Sequence, residues 1–196
     1  MIVDSTNKLI EYADENDGSF ASQDFSYYSI SDSVFTSCDF SSSCFFDAVI
    51  TNTVFTGCKF LSSSFSKAAL RNITFSNCLF TGTMMDNTSI KNVKIENSVA
   101  RYFSLDKSFC SDFSIISSSF TDSSFSSIKA KNVKIEEADL TRSSFLNTSL
   151  SLLSLRNSTL ASIRLSENKS ELYRAKLDMS QVIDIIRQFD VEICQL

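Results

Sequence analysis

Six cysteines and no histidine stand in this chain of 196 residues, and three of the thiols, Cys38, Cys58 and Cys78, are spaced by twenty. A thiol column of that kind suggests metal or disulfide chemistry. A closed zinc site, however, needs four ligands, and neither His nor a carboxylate shares the column. These cysteines read instead as small buried hydrophobes, with Cys44 facing outward, Cys110 at a core position and Cys194 in the tail, so no metal and no cofactor is expected. Without histidine there is no Ser–His or Cys–His nucleophile pair, and Gly18, Gly57 and Gly82 are too scattered to form a phosphate-cradling loop. Charge pairs such as Lys94 and Glu96 would face bulk water with no cleft to shift their pKa values. The residues point away from an enzyme.

The element that must carry these side chains is announced by a period of five. From Phe20 to Leu165 every fifth residue is large and apolar, except Ala100, Cys110 and Ala130, without an insertion or deletion. Neither 2 nor 3.6 divides that spacing, so it specifies neither an amphipathic strand nor a helix, and a repeat this long fixes the architecture. The residue two before each centre is usually small, so two residues in five point inward. Side-chain type repeats again at twenty. One column is Ile30, Ile50, Leu70, Ile90, Cys110, Ala130, Leu150, and another is Phe20, Phe40, Phe60, Phe80, Ala100, Phe120, Leu140, Leu160. Aromatic facing aliphatic fills a narrow interior to constant volume, so four five-residue sides make one coil. Asp32, Asn52, Asn72, Asn92, Asp112 and Asn132 share the same beat, which stacks short polar residues at one corner. Phe103 and Ile128 stand beside the shrunken centres Ala100 and Ala130, so volume is exchanged locally. At about 4.8 Å per coil, about 7.5 coils give a slender rod of roughly 36 Å.

This pattern resembles the pentapeptide repeat family over residues 18–165. The resemblance implies an all-β solenoid, a right-handed quadrilateral β-helix, although this chain places mostly Ser where family members carry Ala, Asp and Gly. The expected organisation is an N-terminal cap at residues 1–16, the β-helix at 17–165 and a closing segment at 166–196. In that last segment Asp178 and Gln181 suit a helix cap and its reciprocal partner. Met179, Val182, Ile183, Ile186 and Phe189 then keep helical spacing, which predicts a helix over about 179–188 followed by a short apolar run at 191–194. Such a helix is too short to stand alone and must pack on something. It either seals the last coil or seals it and also pairs with a second copy. The stretch ELYRAKLDMSQVIDIIRQFDVEI resembles the closing segment of Qnr-type and MfpA-type topoisomerase-protecting members and of the microcin B17 immunity protein. That resemblance implies a homodimer whose contact falls on Met179, Val182, Ile183, Ile186 and Phe189.

Charge bears on function. A rod copying B-DNA over about 36 Å would display about 20 negative charges, yet residues 17–165 hold 13 acidic and 13 basic side chains. Mimicry along the whole length is excluded. Residues 1–55, however, carry nine acids against Lys8 alone, and residues 56–105 reverse the sign with six basic side chains against two acidic. A polar rod of this kind steers toward a basic partner. The resemblance of the closing segment implies the first reading, a DNA mimic that binds or protects a type II topoisomerase, DNA gyrase or topoisomerase IV, and the charge count confines the contact to the acidic end, Asp17, Asp24, Asp32, Asp39 and Asp47. The second is a scaffold, effector or immunity protein that meets an unrelated protein through outward apolar residues such as Phe46, Leu61, Leu79, Met84, Phe109, Ile116 and Leu146. Direct nucleic-acid binding through Arg71, Lys91, Lys94, Lys131 and Lys134 is disfavoured, because Glu96 and Glu136 interrupt that stripe and base-stacking aromatics are lacking. The chain shows neither a signal peptide nor a membrane span, and a cytoplasmic protein is expected.

Overall fold

The computed structural model describes residues 2–189, with the backbone alone at 2–4 and 189. Its strands are β1 (Ile2–Asp4), β2 (Leu9–Glu11), β3 (Asp14–Asn16), β4 (Ser29–Ser31), β5 (Val34–Thr36), β6 (Val49–Thr56), β7 (Ala69–Ser76), β8 (Ser89–Glu96), β9 (Val99–Arg101), β10 (Phe109–Ile116), β11 (Ser119–Thr121), β12 (Lys129–Glu136) and β13 (Leu153–Ser154), followed by one helix, α1 (Met179–Ile186). From β2 onward every pairing is parallel and joins residue i to residue i+20, as in Ile50↔Leu70, Leu70↔Ile90 and Ile90↔Cys110. The protein is a parallel β-solenoid of about seven coils, four sides to the coil. The eight-residue strands β6, β7, β8, β10 and β12 each cover two adjacent sides. The other two sides are joined mainly by single bridges such as Ser19↔Asp39 and Asp24↔Cys44.

Corners recur every five residues in the left-handed region. Asp32, Asn52, Asn72, Asn92, Asp112 and Asn132 have φ between 49° and 55°, where Asn and Asp are tolerated best. Their side chains also bond from coil to coil: Asn52 donates to Asp32, Asn72 to Asn52 and Asn92 to Asn72, each at 2.9 Å. The series restarts at Asp112, which has no N–H to pass on and accepts from Asn132 at 2.8 Å. On the bridge-only sides the corner is a tight turn, exemplified by Ser43 N–H to Phe40 O at 3.1 Å across Ser42 at φ 60°.

The centres stack inside. Phe20, Phe40, Phe60 and Phe80 lie face to face at 4.9, 5.3 and 5.3 Å with interplanar angles of 12°, 4° and 7°. Phe25, Phe45 and Phe65 form a second pile and Phe35, Phe55 and Phe75 a third. At Ala100 the first pile breaks, and Phe103 enters edge-on to Phe80 at 6.2 Å and to Phe120 at 5.0 Å. One aromatic ring is exchanged for another at constant volume.

The inward small residues explain why this chain uses serine. Ser43, Ser63 and Ser143 donate to the carbonyls of Phe20, Phe40 and Phe120 in the coil below, at 2.6, 2.7 and 2.7 Å. Each hydroxyl thus buries itself while tying two coils together. Among the described residues no buried side-chain polar atom lacks a partner. Cys38, Cys58 and Cys78 occupy the same kind of position, fully buried, with thiols directed at the carbonyls of Glu15, Phe35 and Phe55. Cys38, Cys44, Cys58, Cys78 and Cys110 are all free.

Two local departures stand out. Within residues 1–16, the expected N-terminal cap, β2 and β3 already pair at i+20, with Ile10↔Ile30 and Glu15↔Phe35. The charged Glu15 at a centre position hides that first coil from the apolar pattern. Only β1, antiparallel to β2, lies beyond it among the described residues. At the other end, Leu150–Leu152 forms a 3-10 turn in place of a left-handed corner. No helix among the described residues is long and apolar enough to cross a membrane.

Candidate functional site

The five aspartates singled out in the sequence do not share one face. Asp24 immediately precedes the centre Phe25 and Asp39 precedes Phe40, on two adjacent sides, whereas Asp17, Asp32 and Asp47 sit at three different corners with φ of 53°, 50° and 55°. They encircle the first coils as a ring. Four of the five are exposed and Asp39 is half-buried. Local hydrogen bonds hold several of them in place. The Ser26 N–H donates to Asp24 at 2.9 Å and the Ser41 N–H to Asp39 at 2.9 Å. These serines, by side chain and backbone, hold both carboxyls below the ordinary Asp range. Asp32 accepts the Asn52 amide and so ends the corner ladder on a charge.

Lys8 is the one cation of this end, and it is already engaged. Its Nζ donates to Ser26 O at 3.0 Å and lies 5.1 Å from the Tyr27 ring centre. Tyr12 and Tyr27, both at left-handed corners, are about 60% exposed beside the acids. The sequence reading passed over these tyrosines. Their position two after a centre, in the Asx corner phase, is the signal that places them outside.

At the opposite end the closing segment supplies side chains where a further coil would supply backbone. In the rod, Lys67 N–H meets Asp86 O at 3.0 Å and Phe60 N–H meets Leu79 O at 2.8 Å. In the last coil the equivalent Asn147 N–H goes to the Glu171 carboxylate at 2.8 Å and Leu160 N–H to Asp184 at 3.1 Å. Gln181 donates to the carbonyls of Leu155 and Ser158. The Asp178 and Gln181 capping box is present, with Gln181 N–H to Asp178 at 3.0 Å and Asp178 N–H to Gln181 at 3.1 Å. Gln181 and Ile185 are the buried face of α1, and the spacing argument did not single out Ile185, Glu171 or Asp184 as sealing residues. Such end caps are made by chain brought back from a distance, which local periodicity does not report. The helix stops at Ile186 and continues as a 3-10 turn to Phe189.

Met179, Val182, Ile183 and Ile186 are the helix face turned away from that seal. Met179 is 75% exposed and the other three are half-buried. The Phe189 side chain and the apolar run at 191–194 lie outside the described residues.

Along the middle of the rod the outward apolar residues are dispersed. Phe46, Met84 and Leu146 belong to one side, Leu61 and Leu79 to the next, and Phe109 and Ile116 to the two long-strand sides. The basic stripe is better ordered: Arg71, Lys91 and Lys131 lie in one ladder, with Ser111 between the lysines, and Lys94 and Lys134 in another. Lys94 pairs with Glu96 at 2.5 Å, and Glu136 with Arg156 at 3.6 Å. No group of three or more His, Cys, Asp or Glu among the described residues could hold a metal ion.

Residues 28–105 match the family model for a pentapeptide repeat region. No curated protein matches in sequence. Among solved structures, the chain is similar to a trypsin-treated form of QnrB1, a plasmid-mediated fluoroquinolone resistance protein, at 16% identity and a TM-score of 0.39, covering 95% of this chain and 100% of that one. Full-length QnrB1 gives 15% identity and a TM-score of 0.35, covering 91% of this chain and 100% of that one. HetL, a pentapeptide repeat protein involved in heterocyst differentiation regulation from the cyanobacterium Nostoc sp. strain PCC 7120, gives 10% identity and a TM-score of 0.34, covering 79% and 87%.

Proposed function

We propose, from the premise that residues 28–105 are a pentapeptide repeat region, that this protein is a non-catalytic binding rod whose acidic first coils engage a basic surface of a protein partner. The first partner to test is a type II topoisomerase, DNA gyrase or topoisomerase IV, because a surface built to hold DNA is basic. The observation that carries the reading is the acidic ring of Asp17, Asp24, Asp32, Asp39 and Asp47, with Asp24 and Asp39 held ionised by Ser26 and Ser41. The mimicry is local, confined to the tip.

The outward face of α1 supports the second half of the reading, a homodimer through Met179, Val182, Ile183 and Ile186. A two-fold contact at this end leaves the two acidic tips at opposite extremes of the assembly. Buried free thiols on successive coils fit a reducing compartment, and we place the protein in the cytoplasm.

The test is a gyrase supercoiling and DNA-cleavage assay, with and without a fluoroquinolone, across a titration of the protein. Inhibition or protection supports the topoisomerase as partner. No effect, together with no capture of gyrase by the immobilised protein, removes it and leaves a binding rod for a different basic protein.

A further inference from the structure

The side of the rod centred on Ile90, Cys110 and Ala130 carries a second surface, opposite in sign to the acidic end. Here the 3-10 turn at Leu150–Leu152 replaces the corner and leaves Leu152 53% exposed. On the same side Phe109 stands 58% exposed between Ser89 and Lys129, its neighbours in register. Ser89 is too small to cover the ring. With Ile128 and the half-buried Ala130 these residues line a groove of about 590 Å³.

Its rim is cationic. Lys91, Lys129 and Lys131 line the groove, Arg71 continues the Lys91 ladder, and Lys129 Nζ lies 4.7 Å from the Phe109 ring centre. No ion pair among the described residues engages Lys91, Lys129 or Lys131. The nearby corner acid, Asp112, accepts the Asn132 amide at 2.8 Å and the Ser111 hydroxyl at 2.9 Å, and the charges of Lys131 and Lys91 help to hold its carboxyl below the ordinary range without an ion-pair contact. Three lysines against this one acid leave a net positive rim around an exposed apolar floor.

We propose that this groove binds an extended acidic segment of a partner protein, with an apolar side chain seated between Phe109 and Leu152 and carboxylates meeting Lys91, Lys129 and Lys131. The charge complementarity names the ligand's sign, and the apolar floor names its second requirement. Single-stranded nucleic acid fits less well, because it is held by a succession of aromatic platforms. The groove has one aromatic residue, whose ring already carries Lys129. This surface is independent of the acidic tip and does not rest on the identity of the partner proposed there.

The probe is a fluorescently labelled dodecapeptide of glutamates with one central phenylalanine, read by anisotropy against the full-length protein. Controls are the corresponding lysine peptide and an oligothymidylate of equal charge. The glutamate peptide should bind saturably, more weakly as salt rises. The double variant Lys91→Glu/Lys131→Glu should weaken it at least about tenfold, and Phe109→Ser several-fold. Lys129→Ala gives a milder check, and circular dichroism confirms that each variant is folded. Asp24→Asn should leave this binding unchanged. Absence of saturable binding, indifference to the double charge reversal, or tighter binding of the oligothymidylate would each overturn the proposal.

Discussion

The Glu171 carboxylate stands where the next coil's carbonyl would be, accepting the Asn147 N–H at 2.8 Å. It also takes the Ser166 N–H at 3.2 Å and the Ser166 hydroxyl at 2.8 Å, and the residue is 2% exposed. Replacing it by alanine orphans backbone donors at the end of the solenoid, which costs about 1–3 kcal/mol. The thermal midpoint should fall by about 2–4 °C for each kcal/mol lost. Burial pushes the Glu171 carboxyl up, but the hydrogen bonds from Asn147 and Ser166 outweigh it and hold it below the ordinary 4.5. A depressed folded value means that the stabilisation is present above pH 4.5 and is lost as the pH falls below it. Wild-type and Glu171→Ala melting curves should therefore converge on acidification, and a constant gap would show that Glu171 does not act through its charge.

Phe60 lies 5.3 Å from Phe40 and 5.3 Å from Phe80 in one stack. Phe60→Ala removes a fully buried ring and should cost about 3–5 kcal/mol in chemical denaturation. Phe109→Ser, on the outer surface, should stay within about 0.5 kcal/mol. Equal effects would contradict the inward assignment of the multiples of five.

Thiol reactivity separates the cysteine columns. Burial pushes the Cys38 and Cys110 thiols up, Cys110 to about 12, and the neighbouring Cys78 thiol together with burial raises Cys58. In a Cys194→Ser background, Ellman's reagent at pH 8 should label the half-buried Cys44 first and the other four only on unfolding. Rapid labelling of Cys58 in the native protein would contradict the closed interior.

Sedimentation velocity tests the apolar face of α1. The wild type should be a dimer at roughly tens of micromolar, and Val182→Arg/Ile183→Arg should be a monomer with an unchanged far-ultraviolet spectrum, since Gln181 and Ile185 make the seal. A buried charge in a dimer contact costs several kcal/mol, enough to dissociate it. A monomeric wild type would confine α1 to capping.

The repeat was readable because Phe40, Phe60 and Phe80 must superimpose, and superposition leaves a fixed spacing in the chain. Asn52 and Asn72 showed their corner for the same reason, since one dihedral demand recurs in every coil. The first coil was hidden because Glu15 holds a centre position with a charge. Leu152 was hidden because a 3-10 turn replaces a corner only in the last coil. Glu171 and Asp184 were hidden, and Gln181 was legible only as a helix cap, because their sealing bonds go to residues more than twenty positions away, which no local pattern encodes. Composition revealed the acidity of the tip, but the distribution of Asp24, Asp39 and the corner aspartates around the rod needed four sides and a register. The groove beside Phe109 depended on Ser89 and Leu152, neither of which has a chemical signature alone.

The aspartate ring of the first coils is the proposed contact with a basic partner. The most direct measurement compares the wild type with Asp24→Asn/Asp32→Asn/Asp39→Asn/Asp47→Asn for binding to gyrase by biolayer interferometry, with supercoiling followed in parallel. Asparagine keeps an oxygen that can accept the Ser26 and Ser41 N–H bonds, so the variant should remain folded with only a small loss in its thermal midpoint. The wild type should bind saturably and with salt sensitivity, and the variant at least about tenfold more weakly, with supercoiling altered only by the wild type. Equal affinity of the two proteins would contradict it.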